Sequence, residues 1–226
     1  MLSLLSVNVV PPPQQLRSRR TRARIVEAAA RCIVEHGYAG SSTAVVAQAA
    51  GVSQGALFKH FPTKALLLAA SVASILADMV ERFREDATRR LLQAAPRTVE
   101  ERIAPAIAAL WAIFRAPDMK AVFEVYVAAR TDRALAAELS PLLDRHRARV
   151  VVEARALFPE HAEHAEFDGV IDAVVHAMQG VALGLFAPDS EREAKNLALF
   201  ERLARRELEH IAPGDRPKTT KKEKKG

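Results

Sequence analysis

The stretch Ser42–Lys64, STAVVAQAAGVSQGALFKHFPTK, constrains the fold more than any other part of the 226-residue chain. It reads as two short helices joined by a tight turn. The Ser42 hydroxyl can accept one of the free backbone N–H groups that open a helix. Val45, Val46 and Ala49 then form a short apolar face. Gly51 can take the left-handed conformation that ends a helix. Ser53 caps the next helix, which offers Leu57, Phe58 and Phe61 to a core; Pro62 stops it and Thr63 caps a third. Ala47 is small where the two helices would cross, and Val52 can plug the turn. This is the pattern of a helix-turn-helix, whose second helix enters a DNA major groove.

The string GVSQGALFKHFPTKALLL, preceded by GYAGSSTAVVAQAA, closely resembles the DNA-binding domain of the tetracycline-repressor (TetR) family, from Arg20 to about Ala70. The rest of the chain resembles the family only in layout. The resemblance implies an all-α protein of about nine helices. An N-terminal three-helix DNA-binding domain would precede a C-terminal helical domain for ligand binding and dimerisation. It also implies a cytoplasmic, ligand-responsive repressor that binds a near-palindromic operator as a homodimer. Two positions depart from the family pattern. Phe58 stands where Tyr is usual and cannot make that hydroxyl's phosphate contact, and Ile33 stands where Phe is more usual.

Composition agrees with an all-α chain. Half the residues are apolar, no segment alternates as a strand would, and Ala, Leu, Glu and Arg recur at helical spacing. At 24.7 kDa there is room for one or two domains with a sizeable core. The single cysteine, Cys32, forms no internal disulfide and lies on an apolar helical stripe. The apolar start, MLSLLSVNVV, is too short to span a bilayer. The net charge of +6 is unevenly placed. Arg17, Arg19, Arg20, Arg22 and Arg24 carry about +5, and residues 213–226 about +4, leaving residues 65–212 mildly acidic. Two basic ends on an acidic body suit a protein that meets a polyanion at defined places. A phosphate loop, a nucleophile elbow and a zinc-protease signature are missing from the sequence, so an enzyme is the least favoured reading. A non-specific DNA-packaging protein is the stronger alternative. Neither cofactor nor metal is expected.

In chain order, residues 1–16 read as a flexible leader, 17–64 as the DNA-binding domain, 65–212 as the effector and dimerisation domain, and 213–226 as a disordered basic tail. A first helix is expected over 20–35, the motif pair over 43–50 and 54–60, and a long fourth helix over 63–92. Thr98 and Glu101 form a capping box for a fifth helix, with a kink at Pro105. A sixth starts at Pro117–Asp118. A seventh runs from Thr131–Asp132 to Phe158, with a kink or break at Pro141. His161 and His164, three apart in a polar connector, read as solvated surface. The eighth helix is expected over 167–186, ended by Pro188. A second capping box, Ser190 with Glu193, opens the ninth.

Specific chemistry is assigned as follows. Gln54, Gly55, Ala56 and Lys59 are the candidate base readers, since Gln can bind adenine, Lys can reach guanine, and Ala can touch a thymine methyl. Arg19, Arg20, Arg22, Ser42, Thr43, Ser53, His60 and Lys64 are placed at phosphates, which fix register without reading sequence. Trp111, Phe114, Phe123, Tyr126, His146, Arg149, His176 and Gln179 are large or polar groups on Ala-rich helices, a mix that can line an effector chamber. Ala173, Ala177, Gly180 and Gly184 form a small-residue row that invites close approach of another helix. With Leu197, Phe200 and Leu208 they make the candidate dimer interface.

Overall fold

The structure, a computed structural model, describes residues 13–184 and 190–211. Among these residues there are nine helices and no strand: α1 (Pro13–Gly40), α2 (Thr43–Ala49), α3 (Gln54–His60), α4 (Lys64–Ala94), α5 (Val99–Phe114), α6 (Pro117–Ala129), α7 (Arg133–Leu157), α8 (Phe167–Gly184) and α9 (Ser190–His210). Most of the leader, the basic tail, Leu185, Phe186 and Pro188 lie outside the described residues. No single helix among those described is long and apolar enough to cross a membrane.

Most boundaries fall near their expected positions, and three differ informatively. Helix α1 begins at Pro13, so residues 13–16 are helical rather than part of a leader. Proline is tolerated in a first helical turn, where its missing N–H has no partner to lose. Helix α7 runs uninterrupted through Pro141, so of the expected kink or break only the break is excluded. The capping box at α5 is displaced by one residue: Thr98 Oγ1 accepts from Glu101 N at 3.3 Å, but the Glu101 carboxylate reaches back to Arg97 N at 2.7 Å.

Contacts divide the chain into two units, Met1–Ile75 with Glu124–Ser140, and Leu76–Phe123 with Pro141–Gly226. The expected boundary after residue 64 falls inside the first. The core of the first unit is closed by α1, α2, α3 and the start of α4. Ile25, Ala28, Ala29 and Cys32 meet Val46, Ala47, Ala50, Leu57, Phe61 and Leu67, all buried. Burial pushes the Cys32 thiol up, as fits a packing residue. The buried positions of α1 recur at i, i+3, i+4 and i+7, so the apolar stripe decides which face turns inward.

In the second unit α5, α8 and α9 pack on one another. Ile103, Ile107, Trp111 and Phe114 of α5 are buried, as are Phe167 and Met178 of α8 and Phe200, Ala204 and Leu208 of α9. Ion pairs tie its helices at the surface, among them Arg84 with Glu153, Arg102 with Glu160, and Arg147 with Asp172.

Candidate nucleic-acid interface

The geometry of the α2–α3 pair follows from its caps. Ser42 Oγ accepts from Val45 N and Ser53 Oγ from Ala56 N, each at 3.2 Å. Thr63 Oγ1 accepts from Leu66 N at 3.1 Å at the head of α4. Gly51, at φ 62°, turns the chain, and its neighbour Val52 donates to Ala47 O at 3.0 Å. A Cβ at Gly51 would meet nothing within 4 Å, so the residue is set by its backbone angle and not by space.

Helix α3 divides cleanly. Leu57 and Phe61, four apart, are buried in the core. Gln54, Gly55, Phe58 and Lys59 are exposed, while Ala56 and His60 are half-buried. Positions 54, 55, 58 and 59 share one helical face, so that face is what α3 presents outward. Phe58 is a correction: the sequence places it inward, yet it is 43% exposed beside Gln54 and Lys59. Both inward positions on a two-turn helix are already filled by Leu57 and Phe61. An outward phenyl ring can contact a thymine methyl, a role the hydroxyl-based comparison overlooks.

The residues expected at phosphates differ in exposure. Arg19, Arg20, Arg22 and Ser42 are exposed, and Thr43 and Lys64 are half-buried. The Arg22 guanidinium stands 4.7 Å from the centre of the Phe61 ring, which ties α1 to the base of α3. Lys64 Nζ stands 4.6 Å from the centre of the Tyr38 ring. The Ser42 and Ser53 oxygens are engaged as caps, so further contacts from those residues use the hydroxyl hydrogen.

The expected effector residues are more dispersed in character. Trp111, Phe114 and Phe123 are buried. The Trp111 indole donates to Glu193 Oε1 at 2.7 Å, and Arg115 also binds that oxygen at 2.8 Å. Glu193, expected to close a capping box on Ser190, therefore serves as the acceptor for α5. Burial raises the Tyr126 phenol. His146 is half-buried and its pKa is lowered, first by desolvation and then by Arg149. Arg149 and His176 are exposed and Gln179 is half-buried. His176 Nδ1 donates to Asp172 O at 2.7 Å. A recess of about 540 Å³ is lined by Arg84, Glu85, Thr88, Arg89, Leu92 and Gln93, all from α4, and by none of the eight expected residues.

The α8–α9 residues split in the same way. Ala173, Ala177, Gly180 and Gly184 are exposed, and a Cβ on either glycine would meet nothing within 4 Å of the chain itself. Leu197 is half-buried, whereas Phe200 and Leu208 are buried in the chain's own core and offer nothing to a partner. The exposed apolar side chains on these helices are Leu183, Leu199 and Leu203, at 49%, 41% and 44%. One surface expectation is also corrected. His161 is buried at 5%, and its Nδ1 is the one buried side-chain nitrogen or oxygen among the described residues that lacks a hydrogen-bond partner.

Residues 25–71 match the family described as "Bacterial regulatory proteins, tetR family". HTH-type transcriptional regulators from Mycobacterium bovis and Mycobacterium tuberculosis are each 32% identical over 198 residues, covering 84% of this chain and 95% of theirs. Among solved structures, a transcriptional regulator from Rhodococcus sp. RHA1 superimposes with a TM-score of 0.61 at 18% identity, covering 84% of this chain and 96% of its own. The multidrug binding protein EbrR, complexed with imidazole, superimposes with a TM-score of 0.55 at 22% identity, covering 87% and 97%. At those identities the two structures speak for the fold.

Proposed function

The chain belongs to the TetR family of bacterial DNA-binding transcriptional regulators, and from that premise we propose that it represses transcription by gripping a near-palindromic operator as a homodimer. The observation that carries the reading is the outward face of α3. Gln54, Gly55, Phe58 and Lys59 are exposed together on a helix whose other face is locked by Leu57 and Phe61. Gln54 and Lys59 supply hydrogen bonds to base edges, Gly55 allows close approach, and Phe58 supplies an apolar contact. Arg19, Arg20, Arg22, Thr43 and Lys64 supply phosphate contacts. The positive ends of α2 and α4 add to these, because their first turns hold no acid.

One α3 reads only a few base pairs, so a second copy is needed to specify a site. The bare row Ala173, Ala177, Gly180 and Gly184, with Leu183 on α8 and Leu199 and Leu203 on α9 also exposed, supports a partner copy against these two helices. The multidrug-binding role of EbrR supports a small, largely apolar effector held in the second unit, near the buried Trp111 and Phe114 and the half-buried His146 and Gln179. Such a ligand releases DNA only if it binds the DNA-free form more tightly. A regulator rather than an enzyme, working in the cytoplasm where its DNA lies, fits these features best.

The test compares a selected operator with shuffled DNA of equal length at one salt concentration. The wild type is expected to prefer the operator by at least a thousandfold. Gln54→Ala should relax preference at one position of each half-site, each such contact being worth roughly 1–3 kcal/mol. Equal binding to both DNAs would favour the packaging alternative instead.

A further inference from the structure

Helix α1 breaks at Gly37, and the break leaves two backbone groups without their helical partners. Gly37 sits at φ 69° and ψ 179°, a region only glycine enters without strain. Its carbonyl accepts from Ser41 Oγ at 2.7 Å. The Tyr38 N–H, turned out of the helical ladder, donates to Glu124 Oε2 at 2.7 Å. Glu124 lies on α6, 86 residues away in sequence, and belongs to the same unit as the motif. A Cβ built on Gly37 would collide with that carboxylate. The glycine therefore serves twice: it permits the backbone angle and leaves the space the carboxylate fills.

Tyr38 is held from its other side as well. Its ring lies under Lys64 Nζ, 4.6 Å from ring centre to nitrogen. Lys64 is the first residue of α4, and the first turn of α4 carries no acid. A cation at the positive end of a helix is poorly placed for helix stability. The Tyr38 ring offsets this by holding the ammonium over its face. Gly37, Tyr38, Lys64 and Glu124 thus form one chain of contacts from α6 through the α1 break to the start of α4.

We propose that Glu124 is a positioning residue for DNA binding: its carboxylate fixes Tyr38, and Tyr38 in turn holds the Lys64 ammonium where it meets an operator phosphate. The role rests on the DNA-binding reading above and adds to it a residue far outside the motif. Glu124 itself touches no DNA in this account. Because the Glu124–Tyr38 hydrogen bond is exposed, water replaces it when the side chain is removed, so folding is spared and position is lost.

The full-length protein is titrated with its selected operator across a salt series. Glu124→Leu is expected to weaken binding roughly tenfold and to lower the salt slope by about one unit per head, the loss of one phosphate contact. Glu124→Gln keeps an acceptor oxygen and should restore most of the affinity and the slope. In a Lys64→Gln background, Glu124→Leu should add no further loss, since both act on one contact. Amide spectra of Glu124→Leu should show the Tyr38 N–H signal shifted while the Trp111 indole signal stays in place. An unchanged salt slope in Glu124→Leu, a loss fully additive with Lys64→Gln, or a failure of Gln to rescue would each overturn the role. A wild type that fails to prefer its operator would instead sink the DNA-binding reading on which the role stands.

Discussion

The helices of the two units differ at their starts. Those that begin in the first unit, α1, α2, α3, α4 and α7, carry no acid in the first turn. Those that begin in the second, α5, α6, α8 and α9, carry Glu100 and Glu101, Asp118, Asp168, and Glu191 and Glu193 there. An acid in that position stabilises a helix by roughly 0.3–1 kcal/mol at an exposed site. In the first unit α2, α3 and α4 forgo this, whereas α7 takes an acid at its cap, where Asp132 Oδ1 accepts from Leu135 N at 3.0 Å. On the proposed reading the acid-free starts of α2, α3 and α4 keep their partial positive charge for a polyanion. The second unit uses it, and its Arg115 and Arg155 pair with Glu193 and Asp168 of those same turns. Acid-free helix starts in one unit, and paired acidic starts with exposed Leu183, Leu199 and Leu203 in the other, differ in what they offer a partner.

The largest expected effect breaks the first unit alone. Phe61 is fully enclosed between α1, α3 and the start of α4, and Phe61→Ala should cost about 3–5 kcal/mol. Trp111, the single tryptophan, lies in the second unit and reports on it separately. Thermal melts followed by circular dichroism should lose helix early, while the tryptophan transition stays near its wild-type temperature. A tryptophan transition displaced equally would mean that the two units unfold as one.

Gly180→Leu targets the second unit. Gly180 is exposed and a Cβ there would meet no other part of the chain within 4 Å, so the monomer should be spared. Against a partner copy, overpacking should cost roughly 1–3 kcal/mol or more per chain. Sedimentation should then show monomers, and affinity for the full operator should fall sharply with the first unit intact. A dimer of normal strength would place the interface elsewhere.

Ala44→Glu tests the contrast in helix starts directly. Ala44 is exposed in the first turn of α2, so an acid there should stabilise the fold by roughly 0.3–1 kcal/mol. On the proposed reading the same change should weaken DNA binding, because it sets a carboxylate at a helix start assigned to phosphates. Gain in melting temperature with loss of affinity is the expected pair. Affinity left unchanged would show that the start of α2 lies off the duplex.

The smallest effect concerns His146. Its folded pKa lies below the ordinary 6.5 because of desolvation and Arg149. The unfolded chain therefore takes up its proton first as pH falls through about 6.5. Stability from this residue is complete above that value and is lost toward the lower folded pKa. Between pH 7.5 and 5 the wild type should lose slightly more melting temperature than His146→Gln. Identical slopes would show that the imidazole titrates alike in both states.

What the sequence made legible was local. The Ser42, Ser53, Thr63 and Thr98 caps each bond a backbone N–H three residues on, and Gly51 turns the chain within one peptide. Such interactions need only neighbours, so residue type and spacing suffice to find them. Glu124 beneath Tyr38, and Glu193 beneath Trp111, join positions 86 and 82 residues apart, and no periodicity signals such partners. The aromatic character of Phe58 suggests burial, yet Leu57 and Phe61 already fill the core beside so short a helix and Phe58 turns outward. His161 shows the converse, a polar residue in a polar connector that tertiary packing nonetheless encloses.

In the proposed complex, two copies of one exposed α3 face read two copies of one short sequence. Selecting bound sequences from random DNA with the full-length protein tests this most directly. Enrichment of a near-palindrome is expected, with half-sites about 34 Å apart, one duplex turn or slightly more. Gln54→Ala and Phe58→Ala should each relax a different position, symmetrically in both halves. Recovery of a single unrepeated half-site, of no sequence at all, or of an unchanged motif from both variants would contradict this reading.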